Sequence, residues 1–168
     1  RFEGQAELAN LKRILDHLLE VDPYSLLGDL QPQGTARFDV TLGGPWRSPA
    51  LNGALQMKDG RLQVRTYPQS VEGLDFRLIF RGRELALDPA APLEGTLAQG
   101  RLKAWGRAAW GPGGITEYDL TAKLAGFELR DLPEGFELQG DLDASLRGDA
   151  RQGLLKGTLT AERMRYQA

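Results

Sequence analysis

The sequence predicts a mainly β chain preceded by one amphipathic α-helix. Three observations carry this. Apolar residues near the start recur at spacings of three and four, the period changes to two after Gly28, and Gly, Pro and Asp-Gly signals punctuate the remainder of the chain. The 168 residues suit one domain, read as a helix and linker over 1–27 and a repeating strand segment over 28–168. With 41% apolar and 26% charged residues the composition is globular.

Leu8, Leu11, Ile14, Leu15, Leu18 and Leu19 form one stripe of a helix from about Ala6 to Val21, which Asp22-Pro23 ends. The opposite face mixes Glu7, Lys12, Arg13, Asp16, His17 and Glu20. A helix lying on a membrane would present mostly bases there, so docking against a sheet is expected.

Strand alternation begins with Ala36, Phe38, Val40 and Leu42 against Thr35, Arg37, Asp39 and Thr41. Gly43, Gly44, Pro45 and Pro49 interrupt it, and Leu51, Gly53, Leu55 and Met57 resume it. Asp59-Gly60 then reads as a tight type I′ hairpin, with Leu62 and Val64 on the return strand. Tyr67-Pro68 stops that strand. Leu74, Phe76, Leu78 and Phe80 build the next, which turns at Arg81-Gly82-Arg83 into Leu85 and Leu87.

The second half repeats the pattern. Leu102, Ala104, Gly106, Ala108 and Trp110 share a face, and Gly111-Pro112-Gly113-Gly114 signals a turn before Tyr118, Leu120, Ala122 and Leu124. Phe136, Leu138, Gly140, Leu142, Ala144 and Leu146 alternate with an entirely polar set. The last strand holds Leu155, Gly157 and Leu159. Its parity slips between Ala161 and Met164, which places a bulge near Glu162.

One pattern recurs: Leu51-x-Gly53-x-Leu55, Leu93-x-Gly95-x-Leu97, Leu138-x-Gly140-x-Leu142 and Leu155-x-Gly157-x-Leu159. All three positions of each copy face one way. Glycine weakens a strand interior, so its repeated use implies either close approach of another chain or ligand, or a bend in a coiled sheet.

Several chemistries are excluded. There is no Cys, hence no thiolate nucleophile, disulfide or Cys-type metal site. His17 is the single histidine and points away from the leucine stripe, and no Gly-x-Ser-x-Gly elbow accompanies it. No phosphate loop or dinucleotide fingerprint is present, and a net charge of −2 offers nothing to nucleic acid. Asp141, Asp143 and Glu137 share a wet strand face, which accounts for them without a glycosidase. Trp105 and Trp110 differ in parity, which argues against a shared carbohydrate platform, and Trp46 reads as turn-edge packing. No cofactor is implied.

The informative feature is an imbalance: about eight to ten strands each offer an apolar face, and one helix cannot cover them all. Either the sheet closes on itself as a sandwich or barrel, or it curls into an open trough that meets something oily. The inward residues are mostly Leu, Gly and Ala, with few β-branched members, which suits a loosely filled interior.

The run Gly34-Thr35-Ala36-Arg37-Phe38-Asp39-Val40, then Trp46-Arg47-Ser48-Pro49-Ala50-Leu51-Asn52-Gly53-Ala54-Leu55 and Asp59-Gly60-Arg61-Leu62, resembles the repeating unit of the TamB proteins. These are the long periplasmic component of the translocation and assembly module, related to AsmA-like proteins. The segments Val71 to Phe76 and Gly100 to Gly106 are similar to the later parts of that unit, so the resemblance covers about Gly28 to Ala168.

The resemblance implies a long curled antiparallel sheet, a β-taco or groove with an apolar lumen. It also implies a periplasmic location, an inner-membrane tether outside this segment and an Omp85-type outer-membrane barrel partner, TamA- or BamA-like. The chain begins at Arg1 without Met and has no signal peptide or apolar run of about 18 residues, so it reads as a piece of a longer protein. The implied role is passive movement of phospholipid between membranes. The expected groove lining is Phe38, Val40, Leu42, Leu51, Leu55, Met57, Leu62, Val64, Leu74, Phe76, Leu78, Phe80, Leu102, Leu120, Leu124, Leu138, Leu142, Leu146, Leu155 and Leu159. The competing expectation is a closed all-β interaction module of an envelope protein that assists outer-membrane protein assembly.

Overall fold

A computed structural model describes residues 1–18, 29–45, 49–64, 69–88, 90–112, 114–132, 136–149 and 151–166. The expected helix end at Asp22-Pro23, Trp46 with its neighbours and the Tyr67-Pro68 stop lie outside the described residues.

The strands are β1 (Phe2–Glu7), β2 (Leu30–Gln33), β3 (Thr35–Gly43), β4 (Ala50–Val64), β5 (Ser70–Gly82), β6 (Glu84–Leu87), β7 (Leu93–Leu97), β8 (Gly100–Gly111), β9 (Gly114–Leu132), β10 (Phe136–Asp149) and β11 (Gly153–Tyr166). They form one 11-stranded sheet, ordered β1-β3-β4-β5-β6-β8-β9-β10-β11, with β2 beside β4 and β7 between β5 and β8. Each described pair is antiparallel. The helix α1 (Leu8–Leu18) comes directly after β1.

Two expectations need correction. The helix starts at Leu8, because Phe2–Glu7, including Ala6 and Glu7, pairs with β3 as an additional edge strand. Phe2, Gly4 and Ala6 alternate with Glu3, Gln5 and Glu7, but so short a run with one large apolar residue gives a weak strand signal.

Asp59-Gly60 is not a hairpin turn. β4 runs through it, and Lys58 and Asp59 together oppose the single residue Asp75 of β5. Asp59 has φ 51°, and its N–H donates to Asp75 Oδ1 at 2.7 Å. Asp-Gly supplies a left-handed position to a bulge as readily as to a type I′ turn. Leu62 and Val64 therefore belong to the same strand as Leu55.

The same device recurs in β9, where Ala125 and Gly126 oppose Asp141. Gly126 has φ 65° and donates its N–H to Asp141 Oδ1 at 2.7 Å. In β11 the expected bulge is present, with Glu162 the extra residue between the pairs Gln139↔Arg163 and Gly140↔Ala161. Each bulge shifts parity by one while keeping apolar residues on the same face. Met57 is thus succeeded by Gly60 and Leu62, Leu124 by Phe127, and Ala161 by Met164.

The sheet is strongly curled. β4 and β8 are three steps apart, about 14 Å in a flat sheet. Yet Trp110 of β8 donates its indole N–H to the Pro49 carbonyl beside β4 at 3.1 Å. Curling brings Leu51, Leu55, Met57, Phe80 and Trp110 into one buried cluster with Ala36 and with Leu8 of α1. α1 is thus docked as expected, through Leu8 with Leu11 behind it, and Leu8 N–H donates to the Gly34 carbonyl at 2.8 Å. Ile14 of the expected stripe is exposed. The sheet does not close, since β1 and β11 are the two ends of the strand order.

Candidate functional site

Registry places the expected lining on one continuous face. Reading across the strands, Phe38 stands opposite Leu55, Leu78 and Leu87 in turn. A second row runs Leu102, Leu124, Leu142 and Leu159, and a third Gly106, Leu120, Leu146 and Leu155.

Along this face coverage is uneven. Leu51, Leu55, Met57, Leu74, Phe80 and Leu124 are buried by the protein itself. Phe38, Val40, Leu62, Phe76, Leu78, Leu102, Leu120, Leu138 and Leu146 are half-buried. Leu42, Leu142, Leu155 and Leu159 are exposed, the last two at 70% and 53%. The Val64 side chain lies outside the described ones. The uncovered apolar surface is therefore concentrated on β10 and β11.

Phe127 and Trp110 are buried on the same side and were missing from the expected lining. Trp110 comes after Ala108 in plain alternation and was readable. Phe127 was hidden by the parity slip at Gly126.

The recurrent glycines make room for neighbouring strands. A Cβ on Gly53, whose φ is +138°, would run into the Asp39 carbonyl oxygen and lie 2.9 Å from Val40 Cα. One on Gly140 would strike the Thr160 carbonyl oxygen. These two positions fit the bent-sheet reading of the pattern, with close backbone approach coming from within the fold. Gly157 differs, since its Cβ would meet Asp143 O at 3.4 Å, an ordinary contact.

The other face is mainly polar, although Ile79, Trp105 and the exposed Leu154 lie on it, and several of its charges pair across strands. Lys103 pairs with Glu94 at 2.7 Å, Lys123 with Asp143 at 2.9 Å, and Arg147 with Asp119 at 2.9 Å. Asp143 is thus in an ion pair, and Asp141 accepts the bulge N–H of Gly126. At the N-terminal edge, the hydrogen bond from Arg1 holds the Asp39 carboxyl below its usual range, and the same contact raises Arg1. An open depression of about 520 Å³ at the N-terminal edge is lined by Glu3, Gly4, Gln5, Arg37, Phe38, Asp39, Ala54, Gln56 and Arg77, a mixture of polar and apolar groups that includes the first residue of the Phe38 row. His17 is exposed. Among the described residues no cluster of His, Asp or Glu could hold a metal, and no helix is long and apolar enough to cross a membrane. What this arrangement offers chemically is an apolar surface with a polar backing. No family model, curated protein or solved structure matches the chain significantly.

Proposed function

We propose that this chain is a non-enzymatic lipid conduit, in which the apolar face of the curled sheet shields phospholipid acyl chains while headgroups stay in water at the open side. The observation that carries this reading is the exposed leucine surface of β10 and β11, continuous in register with a buried core. Moving a two-chain lipid through water exposes many CH₂ groups at about 0.8 kcal/mol each, so an uninterrupted apolar path removes most of that barrier. No bond is made or broken. Sliding along a leucine-rich wall needs only weak, non-directional contacts.

The resemblance to TamB repeats supports the same reading. It adds the proposal that the full-length protein is tethered at the inner membrane and spans the periplasm toward an Omp85-type barrel. A second reading, a closed structural module, draws on the sealed cluster around Met57.

Native mass spectrometry after incubation with phosphatidylethanolamine and phosphatidylglycerol vesicles separates the two. The conduit predicts adducts of diacyl-lipid mass, lost in Leu142→Asp and Leu159→Asp variants whose far-UV circular dichroism is unchanged. Absence of adducts from the folded parent chain would sink it.

A further inference from the structure

We propose that the depression at the N-terminal edge is a binding site for a phosphate group, which Arg37 and Arg77 grip from two sides. Registry lines up Gln5, Arg37, Gln56 and Arg77 as one row across β1, β3, β4 and β5, on the face opposite Phe38, Leu55 and Leu78. All four residues line the depression, which holds about 520 Å³. Side chains directly opposite in a sheet stand about 4.5–5.5 Å apart, so the two arginine stems are about 10 Å apart with Gln56 between them. Two guanidiniums leaning inward across that gap leave room for one tetrahedral oxyanion, with an N–H···O contact of about 2.8 Å on each side.

Charge selects the ligand. Elsewhere on this face Lys103, Lys123 and Arg147 each meet an acid on an adjoining strand. Arg37 and Arg77 close no ion pair or side-chain hydrogen bond among the described residues. The acids beside them are engaged: Asp39 and Glu3 hold Arg1 at 2.7 and 3.5 Å, and Asp75 accepts the Asp59 N–H. The position between the two arginines, where an acid would neutralise both, carries the uncharged Gln56, whose amide adds donors. The row is therefore a set of donors with two uncancelled positive charges, and what it lacks is an anion with several acceptor oxygens. A phosphate group meets that need better than a single carboxylate, because its oxygens can face both planar forks at once. Arg81 lies on the same strand as Arg77 and also closes no ion pair among the described residues, but its neighbours in register are Asn52 and Glu84, with no second arginine across β4. The site lies outside the leucine rows and stands whether or not those rows carry lipid.

The test follows the arginine Nε–H and backbone amide NMR signals of the 168-residue chain as inorganic phosphate replaces chloride at constant ionic strength. The Arg37 and Arg77 Nε–H signals should shift together and saturate, with a Kd of about 1 mM. Arg37→Gln and Arg77→Gln should each raise the Kd at least about tenfold, and Arg37→Lys nearly as much, because a point charge does not replace the planar fork. Arg81→Gln removes the same charge from the same strand and should change the Kd by less than about twofold. All three arginines are exposed, and far-UV circular dichroism checks that the variants keep the fold. Shifts that stay linear in phosphate, or a loss for Arg81→Gln equal to that for Arg77→Gln, would overturn the proposal, since either marks diffuse charge attraction. Monomeric dihexanoyl phosphatidic acid, read at the same arginine signals, separates the two sources of the group. Affinity no higher than that of phosphate assigns the site to the free ion, and binding at least about tenfold tighter assigns it to a lipid headgroup; either result upholds the two-arginine grip. Lipid adducts on the apolar face are measured separately, so the two readings fail independently.

Discussion

The first and last copies of the leucine-glycine-leucine pattern meet opposite fates. In β4, Leu51 and Leu55 are 5% and 4% exposed, in the buried cluster that Leu8 of α1 and the curled-over Trp110 join. In β11, Leu155 and Leu159 are 70% and 53% exposed. The local sequence is the same and the face is the same. Coverage differs because β4 has strands on both sides and shares its buried cluster with Leu8 of α1 and Trp110 of β8, whereas among the described residues β11 pairs with β10 alone. Alternation decides which way a side chain points, and distant elements decide whether anything lies over it.

Truncating the leucines gives the widest contrast. Leu55→Ala should cost about 2–5 kcal/mol, as for a sealed core position, while Leu159→Ala should stay within about 0.5 kcal/mol. Urea denaturation checks both, and comparable losses would erase the distinction between the regions.

The glycines come next. Gly53→Ala forces a Cβ into the Asp39 carbonyl at a left-handed φ, so a loss of about 1–3 kcal/mol is expected. Gly157→Ala meets only an ordinary contact and should be nearly neutral by the same thermal melt.

The smallest effect is an acid one at the turn joining β10 to β11. Asp149 lies below its usual carboxyl range because it accepts the backbone N–H of Arg151 and then that of Gln152. Its folded value is depressed, so the stability it gives is complete above the unfolded value of about 3.9 and is lost as pH falls through the lower folded value. The Arg151 and Gln152 amide shifts should therefore titrate below about pH 4, and Asp149→Asn should remove that titration.

These contrasts show what could be read without coordinates. The face of Phe38, Leu55, Leu78, Leu102 and Leu142 is legible from period two, and the bulge at Glu162 from a slip in that period. The slip after Met57 carries the same information. There Asp-Gly suits a hairpin and a bulge equally, and only the pairing of Gly60 with Leu74 separates them. The Ala98-Gln99 turn, with φ 49° and 65°, carries no glycine or asparagine at either position, so nothing announces it. Which leucines are sealed depends on α1 and on Trp110 reaching Pro49, contacts between residues far apart in sequence. Periodicity holds no information about them.

The unclosed ends of the sheet have one further consequence. A barrel must reconcile strand number, tilt and stagger before it can shut, so adding a hairpin changes its whole geometry. Here β1 and β11 never meet, and no such condition applies. A hairpin appended beyond β11 would lengthen the ribbon while leaving every existing pairing intact, so this architecture can change its reach without being redesigned.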